Sequence, residues 1–150
     1  MLDTLDIRVE REDLIPVRTH TTDAGLDLVS KDFVNLPAYT RVLVGTGVSV
    51  RIPKGYVGLL LPRSSLSKRG VVMTNSCGVI DSDYRGEIMA SLMLVHPDPR
   101  VATLISKGER VVQLLILPIA LPTIQIVTES DTYWNDTVRG SGGFGSTGKL

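Results

Sequence analysis

The sequence predicts an all-β fold arranged as a jelly roll, and three observations predict it. Short runs of strand-type residues recur, about ten in all, with turn residues between them at spacings of roughly 8–12. Helical spacing of apolar residues, at i, i+3 and i+4, is almost absent. The 150 residues, 43% hydrophobic and 21% charged, suit one domain with its own core. Many short strands in one domain of this size point to a double-sheet jelly roll.

The elements follow in order. Leu5, Ile7 and Val9 alternate with Asp6, Arg8 and Glu10, as in a half-buried strand. A polar, threonine-rich stretch, 17–24, leads into a short strand, 26–28, in which Asp27 faces away from Leu26 and Leu28. A carboxylate placed there needs a partner. Residues 41–52 read as one long strand kinked at its glycines. Pro53-Lys54-Gly55 is a turn, and Tyr56 to Leu61 a buried strand that Pro62 ends. Val71 to Thr74, Gly78 to Ile80, Ile88 to Val95 and Arg110 to Leu117 continue the series, and Ile119 to Val127 is predicted as the last strand despite Pro122. The domain is expected to span 1–137, followed by a flexible glycine-rich arm at 138–150.

Composition excludes several function classes. Sixteen basic residues balance sixteen acidic ones, so no basic excess points to nucleic acid. No apolar run is long enough to span a membrane, and MLDTLDIRVE lacks the apolar segment of a signal peptide. The single cysteine, Cys77, excludes an internal disulfide framework. The expected setting is therefore cytoplasmic and reducing.

Chemistry concentrates at NSCGVIDSDYRGE, 75–87, read as a strand, a polar turn and a returning strand. Alternation predicts Asp81 and Asp83 on one face and Tyr84 on the other. A carboxylate fixed beside an aromatic ring could position a water and take its proton. Taken alone, however, the stretch reads rather as a solvated turn whose aspartates bond their own backbone. Cys77 has no neighbouring histidine and reads as a small packed residue. At PRSSLSKRG, 62–70, Arg63 precedes Ser64 and Ser65, which can open a helical turn; this suits either an anion site or a plain N-cap with a surface arginine. Gln113, among apolar residues, is either bonded in the core or turned toward a ligand. RGSGGFGSTG, 139–148, is either a tail or a phosphate cradle, and Phe144 is out of place in a solvated tail. The two prolines beside His96 argue against a catalytic histidine there.

Together these segments resemble the trimeric deoxyuridine triphosphatase (dUTP diphosphatase) family. AGLDL at 24–28, PRSSL at 62–66, NSCGVIDSDYRG at 75–86, GERVVQL at 108–114 and RGSGGFGSTG at 139–148 match its five motifs in order. Cys77, where a small aliphatic is usual, and the proline-rich loop 96–100 depart from the pattern. The resemblance implies a homotrimer of jelly-roll subunits with active sites at the interfaces. It implies hydrolysis of dUTP to dUMP and pyrophosphate with Mg²⁺, limiting uracil in DNA and supplying dUMP for thymidylate synthesis. By similarity, Asp81 activates the water and holds the 3′-hydroxyl, and Tyr84 underlies the deoxyribose. Asn75, Gly78, Val79, Ile80 and Met89 form the uracil pocket. Arg63, Ser64, Ser65 and Gln113 hold phosphates, with Asp27 and Gln113 reaching the metal through water. Arg139, Phe144, Gly145, Ser146 and Thr147 close over the site. A dCTP deaminase of the same fold, a partner-binding homologue without this role, and a capsid-like jelly roll are the competing readings; the acidic hairpin and the complete glycine-rich motif favour hydrolysis.

Overall fold

The computed structural model describes residues 3–128, 131–135, 137–138 and 140–142. The chain divides into two compact units, Met1–Ala120 and Leu121–Leu150. The first holds all the strands: β1 Asp6–Val9, β2 Leu26–Val29, β3 Val34–Pro37, β4 Val42–Gly45, β5 Val48–Arg51, β6 Tyr56–Pro62, β7 Val71–Met73, β8 Gly78–Ile80, β9 Met89–Leu94, β10 Ala102–Ile105 and β11 Arg110–Pro118. A 3₁₀ turn at Glu12–Leu14 and a short helix, α1 at Ser64–Ser67, interrupt them.

Every strand pair is antiparallel. A four-stranded sheet runs β2-β11-β6-β8 and a three-stranded one β4-β9-β7, with β1-β5 and β10-β3 as two-stranded ribbons. Alternating residues from these sheets fill one core, in which Leu28, Leu36, Val44, Ile52, Leu60, Ile88, Leu92, Ile105 and Leu114 are fully buried. Burying side chains of this size contributes about 1.5–3 kcal/mol each before the entropy of ordering is subtracted. Among the described residues no helix is long and apolar enough to cross a membrane. The expected all-β jelly-roll class holds.

Two strand expectations differ from the structure. The single strand expected over 41–52 is two, β4 and β5, in different sheets. Gly47 makes the switch, at φ +66, where a Cβ would lie 2.4 Å from Leu14 Cδ1. The expected last strand, 119–127, does not form. Pro118 and Pro122 carry no N–H to donate, and Ile124 and Ile126 are about nine-tenths exposed. The second unit instead has a short 3₁₀ turn at Thr132–Asn135.

Candidate active site

The hairpin end of the four-stranded sheet builds one cavity. Among the described residues strand β8 pairs only with β6, through Gly58↔Ile80, Leu59↔Val79 and Leu60↔Gly78. It is an edge strand, so its outer backbone groups are open to a ligand. The turn before it is tight, with Ser76 at φ +57 and its N–H donating to Met73 O at 3.2 Å. Gly78 is buried there, and a Cβ on it would sit 3.1 Å from Leu60 Cβ. Cys77 is half-buried and free.

After β8 the chain leaves strand geometry. The Tyr84 N–H donates to Asp81 O at 3.1 Å, and Arg85 folds back onto the carbonyls of Ser82 and Tyr84, both at 2.8 Å. Because residues 81–86 turn, the predicted alternation does not apply. Asp81 and Tyr84 face the same cavity and Asp83 does not. This cavity, about 190 Å³, is lined by Val79, Ile80, Asp81, Tyr84, Glu87, Ile88 and Met89. The Tyr84 ring lies across Gly86, where an added Cβ would come within 2.4 Å of Oη, and Oη donates to Glu87 O at 2.9 Å.

A second, polar cavity of about 500 Å³ opens beside β2 and β11. Asp27 stands opposite Gln113 in the β2–β11 ladder. Asp27 Oδ2 accepts from Arg63 Nη1 at 2.8 Å and from Arg110 Nη1 at 3.1 Å, so the lone carboxylate has two guanidinium partners. Arg110 also donates to Thr19 Oγ1 at 2.9 Å. Gln113 donates to Pro62 O at 3.3 Å, and Gly25 leaves room for it, since a Cβ there would meet Gln113 Oε1 at 2.7 Å. The Gln113 amide is tied to backbone, and it also lines the polar cavity.

Arg110 was absent from the sequence expectations. Three residues apart on a regular strand, Arg110 and Gln113 would face opposite ways. A register shift between Arg110 and Val112 brings both to the cavity. A charged residue opening an apolar run gives no signal of that bulge.

The expected residues therefore fall into two groups. Val79, Ile80, Asp81, Tyr84 and Met89 line the hairpin cavity, and Asp27, Arg63, Ser64 and Gln113 the polar one, with no lining residue shared. Ser65 is exposed one residue beyond, and Asn75 and Gly78 lie in the hairpin turn at the edge of β8. Arg139, Phe144, Gly145, Ser146 and Thr147 lie outside the described residues.

Neither cavity is lined by a cysteine, and the one histidine, His20, is tied to the Asp23 carboxylate rather than to a serine or thiol. What such a surface can do is neutralise phosphate charge and align a water against it, which is what phosphoanhydride hydrolysis requires. The class is that of a nucleotide hydrolase. Comparison with known proteins gives the family: the profile described as dUTPase matches residues 11–148, and the chain belongs to that family. The deoxyuridine 5′-triphosphate nucleotidohydrolase of Mycolicibacterium vanbaalenii is 44% identical over 144 residues, covering 95% of this chain and 92% of that one. The Corynebacterium glutamicum protein of the same name is 43% identical, over 95% and 93%. The solved dUTPase of Staphylococcus bacteriophage 80alpha with dUpNHpp is 32% identical at a TM-score of 0.87, covering 97% of this chain and 99% of that one. The protein hydrolyses dUTP to dUMP and pyrophosphate.

Proposed function

We propose that the hairpin cavity holds the deoxyuridine and the polar cavity the triphosphate. Uracil lies against the open edge of β8, read by the backbone of Gly78, Val79 and Ile80 with Asn75 and Met89 beside it. Tyr84 underlies the sugar and fills the space of a 2′-hydroxyl. Asp81, within the same cavity, takes the proton as water attacks phosphorus. The α–β P–O bond breaks and pyrophosphate leaves. Arg63, Ser64, Ser65 and Gln113 bind phosphate oxygens, and Arg110 joins them. Arg139, Phe144, Gly145, Ser146 and Thr147 close over the bound nucleotide.

Mg²⁺ fits this donor set. Asp27 Oδ2 is held by two arginines, but Oδ1 accepts no hydrogen bond among the described residues and is free for a metal-bound water. One carboxylate and one amide, with phosphate oxygens as direct ligands, suit Mg²⁺ better than an all-protein cage. The ion would supply charge neutralisation on the phosphates; Asp27 and Gln113 would hold it through water. A bacteriophage phi11 relative at 29% identity coordinates a structural Mg(II) ion.

The observation that carries the reading is the separation of the two cavities. Asp81 follows Ile80, which pairs with Gly58 near the start of β6, whereas Arg63 follows the far end of β6, about 16 Å on at roughly 3.3 Å per residue. A general base must come within about 3 Å of the water it deprotonates. Joining the two half-sites on one nucleotide calls for a second copy, hence a homotrimer whose sites lie at its interfaces. A cytoplasmic setting suits an enzyme of free nucleotides with one free cysteine. The test is pyrophosphate release from dUTP, dTTP, dCTP and UTP. Selective turnover of dUTP supports the pocket; equal turnover of UTP removes the role of Tyr84.

A further inference from the structure

The turn that carries Asp81 and Tyr84 is exposed along most of its length. Its backbone closes on itself through Tyr84 and Asp81, and Arg85 bonds only its own turn. The hydroxyl of Tyr84 ties the ring to a fixed point, Glu87 O. That point is fixed by more than the backbone.

Glu87 Oε2 accepts from Lys31 Nζ at 2.9 Å, and Oε1 accepts from the Gly47 N–H at 2.7 Å. Lys31 Nζ also donates to Glu10 Oε1 at 2.9 Å. The bridge is largely enclosed, with 22% of the Lys31 and 27% of the Glu87 side chain exposed. It lies directly on Gly45, where a Cβ would come 2.6 Å from Glu87 Oε1 and 2.8 Å from Lys31 Cε. The next residue, Ile88, is locked to the β4–β5 corner: its N–H donates to Val48 O at 2.7 Å, and its carbonyl accepts from Thr46 Oγ1 at 2.7 Å. Segments distant in sequence thus converge on the residue that receives the Tyr84 hydroxyl.

We infer that the Glu10–Lys31–Glu87 bridge is the clamp that holds Tyr84 against the sugar, making Lys31 a positioning residue for rejection of ribonucleotides. The inference rests on the proposed role of Tyr84. A ring that excludes one hydroxyl does so only if it cannot move aside, and steric exclusion of that kind amounts to about a hundredfold. Lys31 touches neither cavity, so its loss should leave the water, the base and the phosphate contacts in place.

The test compares kcat and KM for dUTP and UTP in Lys31→Met, Lys31→Arg, Tyr84→Phe and Tyr84→Ala, with Tm measured for each. Lys31→Met is expected to lower the dUTP-to-UTP ratio of kcat/KM about tenfold, chiefly by improving UTP, while kcat on dUTP stays within about threefold. Lys31→Arg should restore most of the ratio. Lys31→Met and Tyr84→Phe combined should fall short of the sum of their separate effects, since both release the same ring. Glu10→Gln, at the exposed end of the bridge, gives a folded variant in which the ratio should fall about two- to threefold. If Tyr84→Ala collapses the ratio but Lys31→Met and Glu10→Gln change only Tm, the clamp is structural and the inference is overturned. If Tyr84→Ala leaves the ratio intact, the reading of Tyr84 itself fails.

Discussion

Asp27 and Arg63, thirty-six residues apart in sequence, meet at 2.8 Å on the floor of the polar cavity. The pair exists because β11 lies between β2 and β6 and brings the end of one beside the other. The carboxylate is 14% exposed and the guanidinium 30%. Arg110 shares the same oxygen, so two guanidinium groups flank one carboxylate on the wall of the polar cavity. The carboxylate spaces the arginines without cancelling them.

Asp27→Asn is therefore expected to act in two ways. Removing the shared anion leaves Arg63 and Arg110 in mutual repulsion and costs about 1–2 kcal/mol, below the figure for fully buried pairs because both arginines reach solvent. Loss of the proposed water-mediated contact with Mg²⁺ should also raise the Mg²⁺ concentration needed for half-maximal turnover. Thermal unfolding and a magnesium titration of the variant measure the two effects separately. An unchanged magnesium midpoint would remove Asp27 from the metal site.

Asp81→Asn keeps the shape of the side chain and the turn carbonyl that receives the Tyr84 N–H. Loss of a general base typically lowers turnover by about 10²–10⁴. Binding of a non-hydrolysable dUTP analogue should persist, and Tm should stay close to the parental value. Turnover within a few-fold of the parent would instead make Asp81 a turn residue.

The fold class and the positions of the motifs were legible because alternation and turn residues are local signals. The need of Asp27 for a partner was legible too, from its place between two leucines; the identity of the partners was not, since they arrive by pairing of distant strands. Arg110 was hidden by a bulge, and Glu87 read as the mere end of a turn because Lys31 lies fifty-six residues away. Residues 119–127 have strand composition, yet a strand needs an edge to pair with, and composition does not supply one. The split of 41–52 turns on Gly47, whose φ of +66 and close contact with Leu14 both call for a residue without a Cβ.

The Lys31–Glu87 bridge has a pH signature. Burial works against the Glu87 charge, but the Gly47 N–H and Lys31 outweigh it and hold the carboxyl below its ordinary 4.5. The hydrogen bonds that Lys31 donates to Glu87 and Glu10 hold it above its ordinary 10.5. A depressed acid contributes stability above its unfolded value and loses it as pH falls through the folded one. A raised base keeps its contribution until pH climbs through its folded value. The deficit of Lys31→Met should thus be constant near neutrality, about 2–4 °C in Tm if the bridge is worth about 1 kcal/mol. It should shrink as pH drops below 4.5. Calorimetry of parent and variant from neutral to acid pH checks this; a deficit that grows in acid would contradict the assignment.

The proposed division of the site between copies of a homotrimer predicts complementation between two inactive variants. Arg63→Ala damages the polar cavity and Asp81→Asn the hairpin cavity, so each variant alone should be nearly inactive. In a closed ring of identical copies every interface repeats the same contact, with a hairpin from one chain against a polar cavity from the next. Mix the two variants at random in equal amounts, and half the hairpins are intact, as are half the polar cavities facing them. About one quarter of the sites then regain both parts, so co-expressed chains should recover about a quarter of parental activity. If both halves came from one chain, every site would carry one lesion and mixing would restore nothing. The decisive measurement is pyrophosphate release by the co-purified mixture against each variant alone. Recovery requires that Asp81 of one copy serve the phosphates held by Arg63 of another, and its absence would return both roles to a single chain.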